Sequence, residues 1–100
     1  MARKPPHYDD DLRECLRDPA YAVEYLEAAL AERDLPAVFL LALRNVAEAR
    51  GMARLARDTK MNRENLYAML SERGNPVLSS LSVILDALGM RLSVELKSAA

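Results

Sequence analysis

The stretch from Leu55 to Leu70 constrains the fold of this chain more than any other part of the sequence. On a helical period it predicts two short amphipathic helices, at 55–59 and 63–70, joined by a tight corner at 60–62. Asn62 precedes the second helix, where its side-chain oxygen can accept a hydrogen bond from a free amide of the first turn. The apolar residues are spaced so that each helix presents one face to a small shared core: Leu55, Ala56, Thr59, Met61, Leu66 and Met69.

Two short helices joined by a tight corner are typical of a helix-turn-helix, whose second helix lies in the major groove of DNA. The first turn residue of this motif is usually Gly, because the corner needs a left-handed backbone, and this chain has Lys60 there. A Lys in that conformation costs about 1 kcal/mol, which tertiary packing can offset. The alternative for this stretch is an ordinary helical hairpin inside an all-helical core. We favour the helix-turn-helix, with Lys60 at its corner.

The composition favours helices over strands. The chain has 100 residues, enough for one domain with a single modest core. Its hydrophobic fraction is 51% but its aromatic fraction only 5%, which predicts an all-α fold with an aliphatic, Ala-rich core. No apolar run approaches the roughly 20 residues of a membrane span, and the N-terminus has no secretory signal pattern. We expect a cytoplasmic protein that does not contact a membrane.

Residues that serve catalytic and metal sites are scarce. Cys15 is the only cysteine and His7 the only histidine, so a zinc site has too few ligands. A catalytic Cys15–His7 pair would need a positive field to stabilise a thiolate, and the segment around these residues is acidic. The chain also has no Gly-rich phosphate loop and no nucleophile beside a base. We therefore predict neither enzyme activity, nor a metal site, nor a cofactor.

The charges are divided between two halves of the chain, although the net charge is only −1. The segment 9–34 has nine acidic residues against three basic ones, a net charge of −6. The segment 50–73 has six basic residues against three acidic ones, a net charge of +3. Phosphate contacts supply most of the non-specific affinity for DNA, so a local basic patch matters more than the total. The acidic half is expected to face away from DNA, where it can meet a basic protein.

The order of elements along the chain follows from caps and breakers. We predict a disordered tail at 1–11 and a single domain at 12–100. Asp18 before Pro19 is a strong helix start, and the pair Asp34 and Pro36 repeats it. Gly51 and a second glycine at position 89 are expected to end helices. The predicted helices, about five in the main bundle, span 12–17, 19–33, 37–50, 52–59, 63–72 and a last segment from 79 or 80 to 88.

The last segment, at 90–97, changes its period. Leu92, Val94 and Leu96 alternate with polar residues, which predicts a short β-strand with one buried face. A strand in an otherwise helical chain needs a partner from outside it. We favour pairing with the same strand of a second copy, because a helix-turn-helix usually contacts two half-sites about 34 Å apart. The alternatives are a strand donated to another protein's sheet and a frayed polar tail.

Four segments of the chain resemble one known family. They are YLEAAL at 25–30, ARGM at 49–52, LARDTKMNRENLYAMLSERGNP at 55–76 and LDALGMRL at 85–92. The stretch 8–96 resembles the probable addiction-module antidote proteins, which have a lambda-repressor-like helix-turn-helix. The resemblance implies a bacterial antitoxin that pairs with a small basic toxin of the RelE and ParE type. It also implies that the protein represses the operon encoding both partners.

Roles for individual residues follow if the second helix enters the groove by its N-terminal end. Arg63, Glu64 and Tyr67 are then expected to project toward base edges. Arg63 can pair with a guanine edge and Glu64 can accept from a cytosine amino group, each contact giving about 1 to 3 kcal/mol of discrimination. The remaining predicted DNA contacts go to phosphates or provide flanking charge: Lys60, Asn62 and Ser71 in the first group, and Arg54, Arg57 and Arg73 in the second. The alternative for these arginines is a solvated surface, and for Arg57 the two interpretations are equally good.

Three classes of function remain open at this point. The first is an antitoxin that also represses its own operon through double-stranded operator DNA. The second is a free-standing transcriptional regulator of the prophage type, with the same DNA chemistry and no toxin. The third, an enzyme, is much weaker. An adjacent gene for a small basic protein would separate the first two.

Overall fold

The computed structural model describes residues 8–31 and 35–97, and these residues form six α-helices. The helices are α1 (Tyr8–Cys15), α2 (Pro19–Leu30), α3 (Pro36–Arg50), α4 (Met52–Thr59), α5 (Arg63–Met69) and α6 (Leu78–Ala87). The predicted all-α fold is confirmed, and each of the six predicted helical segments corresponds to one of these helices. None of the described helices is both long enough and apolar enough to cross a membrane.

Helix α3 is the centre of the fold, as its apolar composition predicts. It packs against α1, α2 and α4, while α4 also contacts α5 and α6. Leu43, Val46 and Ala47 of α3 are completely buried. Asn45 also donates a 2.8 Å hydrogen bond to the Tyr25 hydroxyl, which joins α3 to α2. The central helix therefore determines where the other helices can lie.

Local chemistry sets several helix ends where the sequence predicts them. The Asp18 side chain accepts a hydrogen bond from the Ala20 amide, with Pro19 in the first helical position. Gly51 ends α3 with φ of 104°, and Gly89 follows α6 with φ of 81°. These backbone angles favour glycine, because a Cβ atom is strained there. A side chain added at Gly51 would be strained for the same reason.

Other predicted boundaries are wrong. The tail predicted at 1–11 is helical from Tyr8 onward, and its residues 1–7 lie outside the described part of the chain. The N-cap of α3 is Leu35, which makes no side-chain cap, and the predicted start residue Asp34 lies outside the described residues. Helix α6 begins at Leu78 instead of position 79 or 80, and its N-cap Val77 makes no side-chain cap. Pro36 occupies the first position of α3, and the burial of apolar residues stabilises both helices without a polar cap.

The predicted C-terminal strand is not seen, and the described residues contain no strand at all. Residues 90–97 run without a turn or a bend. The Met90 amide donates a 2.8 Å hydrogen bond to the Leu85 carbonyl, and residues 91–97 have no backbone hydrogen bond to any other described residue. A strand is defined by its pairing with another strand, and a single copy of this chain offers no such partner. Leu92 is partly exposed, whereas Val94 and Leu96 are each 97% exposed.

Candidate nucleic-acid interface

Helices α4 and α5, the two helices of the predicted helix-turn-helix, are joined by a left-handed corner. Lys60 has φ of 60° and ψ of 33°, the left-handed conformation that the motif needs. The Met61 amide donates a 3.1 Å hydrogen bond to the Ala56 carbonyl and so closes the end of α4. Within the described chain Lys60 is the one residue other than glycine with a positive φ. The corner therefore forms without the usual glycine, at the cost of backbone strain at Lys60.

Asn62 caps α5 as the sequence predicts. Its side-chain oxygen accepts a 2.7 Å hydrogen bond from the Asn65 amide, one of the free amides of the first turn. The buried side of α5 consists of Leu66, and Leu70 directly after the helix is equally buried. Leu55 and Thr59 bury the facing side of α4, where the Thr59 hydroxyl donates to the Leu55 carbonyl at 2.8 Å. The cap and the shared core together determine how α5 is presented to solvent.

The outward surface of α5 differs from the predicted one. Helical spacing from buried Leu66 and Leu70 places Glu64, Asn65 and Ala68 opposite the core, and all three are exposed. Arg63 is also exposed, although helical spacing puts it on the side of Leu66 and Leu70, at the open N-terminal end of the helix. Asn65 was not among the residues predicted to contact DNA. Leu70 is the sequence signal that could have identified Asn65 as an outward residue. If Leu66 and Leu70 are taken as the buried pair of the helix, the opposite face includes Asn65.

Tyr67 lies between α5 and the central helix. It is half-buried, and its hydroxyl donates a 3.3 Å hydrogen bond to Oε2 of Glu48 in α3. The Arg44 guanidinium lies 5.0 Å from the centre of the Tyr67 ring, close enough for a cation–π contact. Arg44 Nε is also 3.8 Å from the same Glu48 oxygen. Arg44, Glu48 and Tyr67 therefore hold α5 against α3, a connection that the sequence analysis missed although Arg44 and Glu48 are four residues apart on one helix.

The remaining predicted contact residues differ in how available their side chains are. Arg57, Lys60 and Arg73 are exposed. The Arg54 side chain is 74% exposed and lies 3.8 Å from Asp58, an ion pair on the surface of α4. The Ser71 hydroxyl donates a 2.8 Å hydrogen bond to the Ala68 carbonyl, so its proton already has a partner. Arg57, Arg73 and Lys60 form no ion pair with the described residues, so they are the most available positive charges of this set.

Helix α1 brings a further positive charge to this region. Arg13 lines a shallow depression together with Arg63, Tyr67, Glu48 and Met52. The acidic N-terminal half of the chain is expected to face away from DNA, yet Arg13 of this half lies beside Arg63 at the start of α5. The acidic residues of α1 and α2, such as Glu14 and Glu24, are exposed elsewhere on these two helices.

Among the described residues there is no cluster of potential metal ligands. The depressions in the surface are open and shallow, including the one beside Arg63. The exposed residues of α5 are mostly polar. An open, polar surface of this kind suits contact with another macromolecule better than it suits a small ligand.

A family model described as a probable addiction module antidote protein matches residues 8–96. The chain belongs to this antidote family. An uncharacterised protein of Haemophilus influenzae (strain Rd) is 34% identical over 87 residues, which cover 87% of this chain and 89% of that protein. No solved structure matches the chain significantly. The family predicted from the sequence is confirmed, and an antidote of an addiction module implies a toxin as its partner.

Proposed function

We propose that this antidote-family protein is an antitoxin that binds operator DNA through α4 and α5 and represses its own operon. The observation that carries the proposal is the geometry of α5. A capped helix presents Glu64, Asn65 and Ala68 outward, beside the exposed Arg63 and the left-handed corner at Lys60. A helix held in this way can enter the major groove with its first turn against the base edges.

The base contacts come from the first turn of α5. Arg63 can donate two hydrogen bonds to a guanine, and Glu64 can accept one from a cytosine amino group. Asn65 can pair with an adenine through both ends of its amide. Tyr67 holds α5 against α3 through its hydrogen bond to Glu48, and the edge of its ring contacts the major groove.

The phosphate contacts come from the residues that flank the helix. Lys60 and Asn62 lie at the corner, and Arg57, Arg73 and Ser71 lie on either side of it. Arg54 joins this group by leaving its ion pair with Asp58, which costs little because the pair is exposed. These contacts set the register on the duplex and the dependence of binding on salt.

The protein acts as a homodimer in the cytoplasm, with a small basic toxin of the RelE and ParE type as its second partner. A two-fold dimer matches the symmetry of operators with two half-sites. The acidic residues of α1 and α2 attract a basic protein and lie on different helices from the DNA-binding pair.

Titration onto labelled DNA from the protein's own upstream region, against a scrambled duplex at two salt concentrations, tests the DNA part. A preference of about 10³-fold or more for the upstream duplex, weakening as salt rises, is expected. The matched control is Glu24→Gln on the exposed face of α2, which is expected to leave both affinities unchanged. Equal, weak binding to both duplexes, with and without the toxin, would contradict the proposal.

Growth and co-purification test the toxin part. The product of the adjacent gene, if it is small and basic, is expected to arrest growth alone and to co-purify with this protein when both are expressed. Operator binding without such a partner would instead support the free-standing regulator.

A further inference from the structure

Two unpartnered apolar features lie next to each other at the end of the chain. The first is the segment 90–97, here called the C-terminal arm, on which Val94 and Leu96 are each 97% exposed. The second is an open groove of about 370 Å³ between α2, α3, α6 and the arm itself, whose residues Arg91, Ser93 and Glu95 supply part of its polar lining. Its apolar lining includes Val23, Leu30, Phe39, Leu85 and Leu92. Exposed apolar surface of this kind marks an interaction site.

We propose that two copies of the chain pair their C-terminal arms antiparallel, with Ser93 opposite Ser93 at the two-fold axis. In this register Arg91 lies opposite Glu95 of the second copy, and the symmetry repeats the pair. Opposite charges that face each other across an antiparallel pair stabilise it. The register therefore matches the charges on the polar face of the arm.

The neighbouring registers match these charges less well. Centring the pair on Val94 places Arg91 opposite Lys97, and centring it on Glu95 places two carboxylates opposite each other. Centring it on Leu96 pairs Glu95 with Lys97 but overlaps little of the described arm. Shifting one arm by a single residue relative to the other would place apolar side chains opposite polar ones on both faces of the pair. Charge and face together select Ser93 as the centre.

The apolar face supports the same register. Residues that face each other across the pair project to the same side of the sheet, so Leu92 contacts Val94 of the second copy. Met90, which is half-buried against the core, contacts Leu96 of the second copy. Val94 and Leu96, which are exposed to solvent in the single chain, thus lie at the edge of the groove of the second copy. The free arm and the open groove complete each other across the two-fold axis.

This inference deepens the homodimer of the proposed function, and its test uses neither DNA nor toxin. Ser93→Cys, in a Cys15→Ser background because Cys15 is exposed, is expected to form a disulfide-linked dimer under mild oxidation. Facing residues in an antiparallel pair have Cα atoms about 4.5 to 5.5 Å apart, within the range of a disulfide. Val94→Cys is the matched control, because residues 94 of the two copies are diagonal and about 7 Å apart or more.

A charge exchange tests the same register without cysteines. Arg91→Glu is expected to weaken the dimer at least about tenfold in sedimentation equilibrium, since both ion pairs become repulsive. The double variant Arg91→Glu with Glu95→Arg is expected to restore the dissociation constant to within about threefold. Both residues are exposed, and unchanged thermal unfolding of a monomeric sample confirms that the variants fold.

Cross-linking through residue 94 in place of residue 93, or no rescue by the charge exchange, would overturn the register. If the chain remains monomeric at high concentration, the proposal that a second copy covers the groove is wrong. A cross-linked dimer that does not distinguish its operator from scrambled DNA would leave the arm pairing intact and contradict the proposed function alone.

Discussion

The Tyr67 hydroxyl lies 3.3 Å from Oε2 of Glu48, so a hydrogen bond joins the proposed recognition helix α5 to the central helix α3. The Arg44 guanidinium lies over the same tyrosine ring at 5.0 Å. A side chain predicted to contact bases thus also has a structural role at the edge of the interface. The two roles can be separated, because the hydroxyl and the ring have different partners.

Tyr67→Phe is expected to lower the free energy of unfolding by about 0.5 to 1.5 kcal/mol, because one half-buried hydrogen bond is lost. Operator affinity is expected to stay within about threefold, since the ring keeps its place under Arg44. Urea denaturation and DNA titration measure the two effects. Loss of sequence preference without loss of stability would instead assign the hydroxyl to the DNA.

Asn65→Ala is expected to reduce discrimination at one A·T pair of the operator by about 1 to 3 kcal/mol. The cap on α5 survives this change, because Asn62 accepts from the backbone amide of residue 65 and not from its side chain. Binding to operators carrying single base-pair changes measures the effect. An unchanged preference at every position would remove Asn65 from the set of base contacts.

Arg63→Ala is expected to weaken binding to the operator by about 1 to 3 kcal/mol and binding to random DNA by much less. The reason is that a bidentate contact to guanine is lost together with only one charge. Arg57→Ala is the comparison, since a phosphate contact weakens both duplexes alike. Equal losses on both duplexes for Arg63→Ala would make it a phosphate contact as well.

Asn62→Ala is expected to lower the free energy of unfolding by about 1 kcal/mol, because the first turn of α5 loses its side-chain acceptor. Asn62→Asp keeps the acceptor and adds a negative charge at the N-terminus of the helix, so its stability is expected to match the natural chain. Urea denaturation of the three proteins provides the measurement. Equal destabilisation by both substitutions would show that the cap contributes nothing.

Lys60→Gly is expected to raise the free energy of unfolding by up to about 1 kcal/mol, because glycine adopts the left-handed corner without strain. Lys60→Ala removes the same charge but keeps the strain, so it is expected to give no such gain. Both variants are expected to reduce the salt dependence of DNA binding by one phosphate contact. A gain in stability from the alanine variant would show that charge, not backbone strain, is the source.

The features that the sequence by itself determined are those whose causes lie within a few residues. The cap at Asp18 with Pro19, the end of α3 at Gly51, the left-handed Lys60 and the cap at Asn62 are all confirmed. Each depends on a backbone angle or on a hydrogen bond to a nearby amide, so the local sequence contains the whole interaction. The antidote family was also predicted from the sequence, because its motifs are contiguous.

Only the tertiary structure decided which faces are buried. Helical spacing places Val23 and Leu30 on the same apolar stripe of α2 as Leu26. The structure instead exposes Val23 and Leu30 at the groove and buries Ala22 and Ala29 with Leu26. In the same way the partner of Tyr67 could not be predicted, since Glu48 lies on another helix. An apolar helix can bury any of several faces, and the choice depends on the positions of its neighbours. The predicted strand depends on a neighbour as well, and a single copy of the chain does not provide one.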